Sequence, residues 1–260
     1  MPITHKWTGT VLTITSDSGT SSCDLKGDKG DDGARGAQGK AGGTCYNVSQ
    51  AAYNYVDNSD FSAARFIAQA GFNSKHGNFL YMGDRWINDN NLTAEQQTNG
   101  IKITTTGQYQ YIKQHITVKV GQTYTAAIKA STNTTNVALA AYPRSSLSTP
   151  YARVIGNSGI QVITFTPTEE VLQLLVYAGY SSNGGSAVIE WVALYEGEYT
   201  AATLPPYQYK GYAAELAECQ RYYQIRSVNN IAAVDMRPVM RVNVPTIAAV
   251  TSGYEYVADL

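Results

Sequence analysis

The sequence predicts a mostly β chain whose main folded part is an antiparallel sandwich. Its composition favours strands, because 20 of the 260 residues are Tyr and only 15% are charged. Between residues 46 and 210, strand-like runs alternate with turn clusters without an intervening helical pattern. A hydrophobic content of 43% is sufficient for a sizeable core.

Residues 1–25 predict a small β module. Leu12 and Ile14 alternate with threonines, which is strand spacing, and Gly9 before them favours a hairpin turn. A module of this size buries little surface alone, so we expect it to pair with copies of itself or with a larger partner. We therefore assign it to attachment or trimerisation.

Residues 26–43 form a separate segment in which every third residue is glycine. The positions are Gly27, Gly30, Gly33, Gly36, Gly39 and Gly42. Collagen requires this period because only glycine fits where three chains meet, so the segment predicts a homotrimeric stalk of about 50 Å. The segment contains no proline, so the neighbouring domains must help to hold the chains together. A charged flexible linker is the alternative interpretation.

Residues 44–206 contain the predicted sandwich. Its strand-like runs are Ile101–Thr105, Tyr109–Val120, Tyr124–Ala130, Val137–Tyr142, Ile160–Phe165, Val171–Tyr177 and Ala187–Tyr195. Ser181–Gly185 separates the last two runs and is typical of a hairpin loop. Many short strands without helices between them indicate an antiparallel sandwich or a jelly roll.

The paired prolines Pro205 and Pro206 mark a predicted boundary before a C-terminal unit of residues 207–260. Ala213–Gln220 is helix-prone, and three later stretches favour strands: Arg221–Ile225, Arg241–Ile247 and Tyr254–Val257. We expect a small α/β unit, which is again short enough to favour oligomerisation.

Several classes of function are disfavoured by the sequence. A net charge of −1 argues against a nucleic-acid partner. We see no signal peptide and no apolar run long enough to span a bilayer, so we expect no membrane insertion. His5, His76 and His115 lack metal-ligand spacing, and no catalytic motif is present, so we predict neither an enzyme nor a cofactor.

The three cysteines are too few for a disulfide scaffold or a zinc site. One interpretation is that Cys23, Cys45 and Cys219 remain reduced thiols in a protein made in the cytosol. The other is that Cys23 and Cys45, which bracket the glycine repeat, link the chains of a trimer.

Sugar binding is the chemistry that the aromatic residues favour, because rings stack on the apolar faces of sugars while polar neighbours supply hydrogen bonds. The candidate platforms are Tyr109, Tyr111, Tyr142, Tyr177, Tyr180 and Trp86. The alternative for each is an aromatic residue of the core or of a trimer interface. Trp191 lies in an otherwise apolar run, and we predict it to be core.

Motifs in all four segments resemble those of collagen-containing fibre proteins from phages and prophages of Gram-positive gut bacteria. They are Trp7–Ser22 running into the glycine repeat, Asp57–Phe61 with Asp84–Trp86, Ile189–Gly197, Glu215–Tyr223 with Met240–Arg241 and Pro245–Thr246, and Tyr254–Leu260. The resemblance implies a trimeric virion protein made in the host cytoplasm. It also implies that the N-terminal module binds another virion protein.

The third segment also resembles the jelly rolls of carbohydrate-binding modules, in which carboxylates near the first and last strands can hold calcium. Asp57, Asp60 and Glu190 occupy those places, although ordinary turn and surface carboxylates are the alternative. Together, the resemblances imply a tail or head fibre, and the first hypothesis is a receptor-binding tail fibre that attaches to host-surface polysaccharide. A structural or decorative head fibre without a specific receptor is the second hypothesis.

Overall fold

The computed structural model describes residues 3–25, 52–76, 79–88, 92–132, 136–181, 183–226, 240, 246–250 and 253–258. The chain divides into two compact units, Met1–Gln50 and Ala51–Leu260. The glycine repeat and Cys45 lie outside the described residues. The triple helix, the homotrimer and a disulfide between Cys23 and Cys45 therefore stay predictions.

The first unit contains a three-stranded antiparallel meander. Its strands β1 (Thr4–Thr8), β2 (Val11–Ser16) and β3 (Gly19–Asp24) pair in chain order. Gly9 has a φ of 63° between β1 and β2, a left-handed conformation that glycine adopts without steric cost. The structure thus contains the strand and the hairpin turn that the alternation around Leu12 and Ile14 predicts.

The second unit is built around two antiparallel sheets. Its first twelve strands are β4 (Ser74–His76), β5 (Phe79–Gly83), β6 (Trp86–Asn88), β7 (Leu92–Gln97), β8 (Gly100–Thr105), β9 (Tyr111–Thr117), β10 (Tyr124–Thr132), β11 (Val137–Pro143), β12 (Ala152–Gly156), β13 (Gly159–Phe165), β14 (Val171–Tyr177) and β15 (Gly185–Glu196). One sheet has the order β13-β10-β15-β8-β7, and the other has the order β12-β11-β14-β9-β6-β5-β4.

The pairing of these strands is nested. β8 pairs with β15, β9 with β14, β10 with β13, and β11 with β12, as in a long hairpin rolled into two sheets. This is the arrangement of a jelly roll, in which both sheets contribute one face to a common core. The predicted mostly β fold with an antiparallel sandwich is therefore confirmed.

The core between the sheets follows the alternation of the strands. Ile112 of β9, Leu174 of β14 and Leu139 of β11 point inward and are buried in one continuous cluster. Trp86 and Phe61 belong to the same cluster, with ring centroids 5.1 Å apart. The burial of such large apolar side chains is the main stabilising contribution to this unit.

The end of the chain forms a helix and a small sheet. They consist of α1 (Tyr212–Gln220), β16 (Tyr223–Arg226), β17 (Thr246–Val250) and β18 (Gly253–Val257), with the strand order β16-β18-β17. Within the described residues, no helix is both long enough and apolar enough to cross a bilayer.

The C-terminal segment contacts the sandwich through polar and aromatic groups. Glu215 of α1 accepts a hydrogen bond from the Asn58 backbone N–H at 2.7 Å, and the Tyr207 ring stacks on Trp191 at 5.0 Å. These contacts join the residues on the two sides of Pro205 and Pro206, and both sides belong to one compact unit. The domain boundary at these prolines stays a prediction.

Candidate functional site

The outer face of the seven-stranded sheet brings several predicted tyrosines together. Strand alternation points Tyr111, Tyr142 and Tyr177 away from the core, and Tyr177 is directly opposite both Tyr111 of β9 and Ala138 of β11. The small Ala138 side chain leaves room for the neighbouring rings. A side-chain hydrogen bond joins Tyr142 to Tyr177.

Edge-to-face contacts link these tyrosines to two others in adjacent loops. Ring centroids lie 5.5 Å apart for Tyr111 and Tyr177, 5.0 Å for Tyr177 and Tyr180, and 5.1 Å for Tyr180 and Tyr109. Such pairs contribute about 0.5–1.5 kcal/mol each beyond their buried area. We call Tyr109, Tyr111, Tyr142, Tyr177 and Tyr180 the tyrosine cluster.

Exposure differs across the tyrosine cluster. Tyr109 is 52% exposed and Tyr111 and Tyr180 are half-buried, whereas Tyr142 and Tyr177 are buried. Burial raises the pKa of Tyr177, and its hydrogen bond with Tyr142 raises it further. The prediction that Tyr142 and Tyr177 are stacking platforms is corrected, because these two rings lie underneath and support the others.

Two loops position the exposed rings. Tyr109 lies between β8 and β9 and Tyr180 between β14 and β15, and the Tyr109 N–H donates to the Tyr180 carbonyl at 3.1 Å. Gln108 adds a hydrogen bond from its Nε2 to the Ser181 carbonyl at 3.2 Å. Tyr109 has a φ of 59°, which is uncommon for a bulky residue and is typical of strain held at a functional site.

Charged and amide side chains flank the tyrosines. The Arg153 guanidinium lies 4.6 Å from the centre of the Tyr180 ring and donates a hydrogen bond to its hydroxyl. On the other side, Lys113 Nζ donates to Gln173 Oε1 at 2.9 Å and lies 5.8 Å from the centre of the Tyr111 ring. Stacking surfaces thus lie next to hydrogen-bonding groups.

Sequence reasoning missed these polar residues. Arg153 is opposite Ala140 in the pairing of β11 with β12, and Lys113 is opposite Leu175 in the pairing of β9 with β14. Arg153 and Lys113 alternate with core-facing neighbours, which is a detectable signal for an outward face. The sequence does not specify which strands pair, so it could not place them beside the tyrosines.

His115 lies on the same face and is buried. Its Nε2 is 3.4 Å from Gln173 Oε1, and Gln173 Nε2 donates to the Pro143 carbonyl at 3.0 Å. Burial lowers the pKa of His115 to about 4, and the positive charges of Arg144 and Lys113 lower it further. The imidazole is therefore neutral at pH 7 and adds no charge to the site.

The structure does not place Trp86 at the surface. This side chain is 0% exposed, and its Nε1 donates to the Asn58 carbonyl at 2.9 Å, so it has no face for an external ligand. Trp191, predicted to be core, instead lies half-buried on the outer face of the five-stranded sheet, where Tyr207 covers it. The predictions that Trp86 is a binding platform and that Trp191 is core are both corrected. An alternating sequence pattern does not show which face of a strand points inward.

The three calcium candidates are paired with cations. Arg85 lies 3.0 Å from Asp57, Arg65 lies 2.9 Å from Asp60, and Lys129 lies 2.7 Å from Glu190. Among the described residues, no group of three or more His, Cys, Asp or Glu side chains is arranged to hold a metal ion. The candidates therefore correspond to structural ion pairs.

The motif around Asn58 has a structural role at the start of the jelly roll. Asn58 has a φ of 49°, and its side-chain Nδ2 donates to the carbonyls of Ile67 and Asp84, both at 2.8 Å. Asp84 accepts a hydrogen bond from the Gln69 N–H at 2.9 Å. The residues that carry the resemblance to carbohydrate-binding modules thus stabilise the start of the jelly roll.

Comparison with known proteins gives partial structural matches. No protein-family model matches the chain, and no curated protein sequence does. A putative sugar binding protein from Bacteroides thetaiotaomicron is 13% identical with a TM-score of 0.36, and the match covers 56% of this chain and 100% of the other.

Two further structures are complexes of carbohydrate-binding modules. TmCBM61 with β-1,4-galactotriose is 11% identical with a TM-score of 0.33, over 56% of this chain and 99% of the other. The module of Cellvibrio mixtus lichenase 5A with cellotriose is 8% identical with a TM-score of 0.32, over 44% and 98%. At these values, the jelly-roll assignment rests on the strand pairing of this chain.

Proposed function

We propose that this chain is a trimeric fibre protein of a bacteriophage particle and that its jelly roll binds host-surface glycan through the tyrosine cluster. The observation that carries the glycan site is the exposed Tyr109 ring, held edge-on against Tyr180 by a backbone hydrogen bond. Exposed, pre-positioned aromatic rings lose little conformational entropy when they stack on a ligand.

The chemistry around Tyr109 and Tyr180 matches a sugar better than a purely apolar ligand. A pyranose ring has an apolar C–H face for stacking and equatorial hydroxyls that need hydrogen-bond partners. Arg153 supplies donors beside Tyr180, and Lys113 supplies donors beside Tyr111, where buried Gln173 positions its ammonium group. The proposed role is binding without catalysis.

The fibre role is supported by the sequence. The glycine period from Gly27 to Gly42 is the one that a triple helix of three parallel chains needs, and motifs in every segment resemble phage fibre proteins. In this proposal, the chain is a virion protein whose N-terminal module joins another virion protein. Three weak glycan sites at one end of a stalk then combine by avidity, which raises the apparent affinity without any new contact.

The glycan site is tested with the full-length protein and with host cell walls or a glycan array as the probe. We expect Tyr109→Ala and Tyr180→Ala each to weaken binding per site about tenfold, because each removes one stacking ring. Tyr212→Ala is the matched control, since Tyr212 is 57% exposed on α1 outside the cluster, and it should bind like wild type. Surface plasmon resonance on immobilised cell-wall polysaccharide gives the affinities.

Two results would contradict the glycan site. Equal binding by the wild type, Tyr109→Ala and Tyr180→Ala would exclude the tyrosine cluster. A wild-type protein that binds no cell wall and no glycan at high concentration would favour a structural head fibre instead. In that case we still expect light scattering to give the mass of a trimer, because both hypotheses predict one.

A further inference from the structure

The N-terminal meander has one apolar and one polar face. The pairing of Trp7 with Leu12, and of Leu12 with Cys23, puts these side chains on the same side of the sheet. By the same alternation, all the large aliphatic residues except Val11 share that side. We call this side the apolar face, and its members are Ile3, His5, Trp7, Leu12, Ile14, Ser16, Ser21, Cys23 and Leu25.

The polar face carries mainly hydroxyl side chains. Thr13 and Ser22 are hydrogen-bonded across the strands at 2.9 Å, and Thr15 and Thr20 at 3.1 Å. These hydroxyls satisfy one another and remain accessible to water, so this face suits solvent. The two faces of a single strand therefore differ sharply, as Thr13 and Ile14 illustrate.

Most large side chains of the apolar face are exposed in the part of the chain that the structure describes. Exposed fractions are 71% for Ile3, 53% for Trp7, 42% for Ile14 and 58% for Leu25. Within residues 3–25, no side chain falls in the buried class. A three-stranded sheet needs a buried apolar face for independent stability, so this face requires a partner.

We propose that the apolar face packs against the same face of two further copies of this chain, so that three meanders enclose one small core. The proposal rests on the trimer of the proposed function and specifies where its N-terminal interface lies. Three-fold symmetry turns the same face of every copy towards the axis. The polar face, with its threonines and Lys6, is then left on the outside of the three meanders, where the other virion protein can bind.

The position at which the chain leaves the meander favours copies of this chain, rather than another protein, as the partner of the apolar face. β3 ends at Asp24, and Leu25 follows on the apolar side, with its N–H donating to the Thr10 carbonyl at 3.0 Å. The first glycine of the repeat, Gly27, comes two residues later. A triple helix that starts there brings three copies of Leu25 close to one axis, which is where the apolar faces must meet.

Paired substitutions on β2 test this interface in the full-length protein. We expect Ile14→Glu to raise the concentration at which the trimer dissociates by about tenfold or more, because it places a carboxylate in the apolar core. Thr13→Glu adds the same charge one residue away on the polar face, so it should dissociate like wild type. Sedimentation velocity over a dilution series gives the masses, and circular dichroism checks folding.

Fluorescence quenching tests the interface in the unaltered protein. The signal of Trp7 is isolated by subtracting the emission of Trp7→Phe from that of wild type, and acrylamide is the quencher. We expect Trp7 to be shielded at concentrations where the mass is that of a trimer. We also expect it to become accessible when dilution dissociates the chains.

Each contrary result has its own meaning. A trimer in which Trp7 is as accessible as in unfolded protein would overturn this interface and leave the fibre trimer intact. A shielded Trp7 at monomer mass would show that the chain covers its own apolar face, which also overturns the proposal. Equal dissociation of Ile14→Glu and Thr13→Glu would do the same. A wild-type monomer at every concentration would overturn both the interface and the trimer.

Discussion

His115 shows how burial sets the chemistry of one residue. Its imidazole is almost inaccessible to water, and Arg144 and Lys113 are nearby cations, so the protonated form is disfavoured in the folded protein. The pKa of His115 is lowered from 6.5 to about 4. Between these values the unfolded chain binds a proton that the folded chain does not, so stability falls as the pH falls through this window.

We expect this effect in the free energy of unfolding. From pH 7 to pH 4.5, the wild type should lose roughly 2–3 kcal/mol more stability than His115→Asn, which has no imidazole to protonate. Urea unfolding at both pH values measures the difference. An identical pH dependence for wild type and His115→Asn would contradict the prediction.

Residue type and residue position were predictable to different extents. The tyrosines were selected from the sequence because phenol rings suit sugar stacking, and the structure places Tyr109, Tyr111 and Tyr180 in one cluster with half-buried or half-exposed rings. Trp86 was selected on the same ground, but it is buried. Exposed aromatic residues and buried ones have similar local sequences, and only the tertiary packing distinguishes them.

At the scale of elements, alternation predicted the strands well. The run Val171–Tyr177 is strand β14 without change, and Ala213–Gln220 differs from α1 by one residue. The pairing register was not predictable, because it depends on contacts between residues far apart in the chain. Arg153 was missed for this reason, since its place beside Tyr180 follows from the pairing of β11 with β12.

The loop after β14 should be sensitive to a single methyl group. Gly184 has a φ of 105°, and a Cβ there would lie 3.0 Å from the Thr105 carbonyl oxygen. We expect Gly184→Ala to destabilise the protein by about 1–3 kcal/mol. We also expect it to weaken glycan binding, because the same loop carries Tyr180. Thermal unfolding and surface plasmon resonance measure the two effects.

Gly159→Ala is the control for backbone strain alone. Gly159 has a φ of 111°, but no atom lies within 4 Å of a Cβ built there. It is the first residue of β13 and lies outside the loops that carry Tyr109 and Tyr180, so this variant should lose stability and keep wild-type binding. Loss of glycan binding in both variants would show that the loop geometry is not responsible.

At the scale of the whole molecule, the glycine repeat predicts a trimer. Substitutions at two neighbouring positions of the repeat test this prediction. If the repeat forms a triple helix, Gly33→Val places a branched side chain at its axis, whereas Ala34→Val changes the next position, which does not face the axis. We expect Gly33→Val to accelerate tryptic cleavage within residues 26–43 and to lower the melting temperature of this segment. Ala34→Val should leave both close to wild type. Equal protease resistance of all three proteins would favour the flexible linker.

The nested pairing of the jelly roll also determines the order in which the protein can assemble. Ile101 of β8 is directly opposite Ile189 of β15, so the outermost pair cannot close until nearly all of the sandwich has been synthesised. Contacts between such distant residues form slowly. The meander and the glycine repeat leave the ribosome much earlier. In the proposed trimer, three nascent chains would therefore associate at their N-termini first, and each sandwich would fold only after the three chains have assembled.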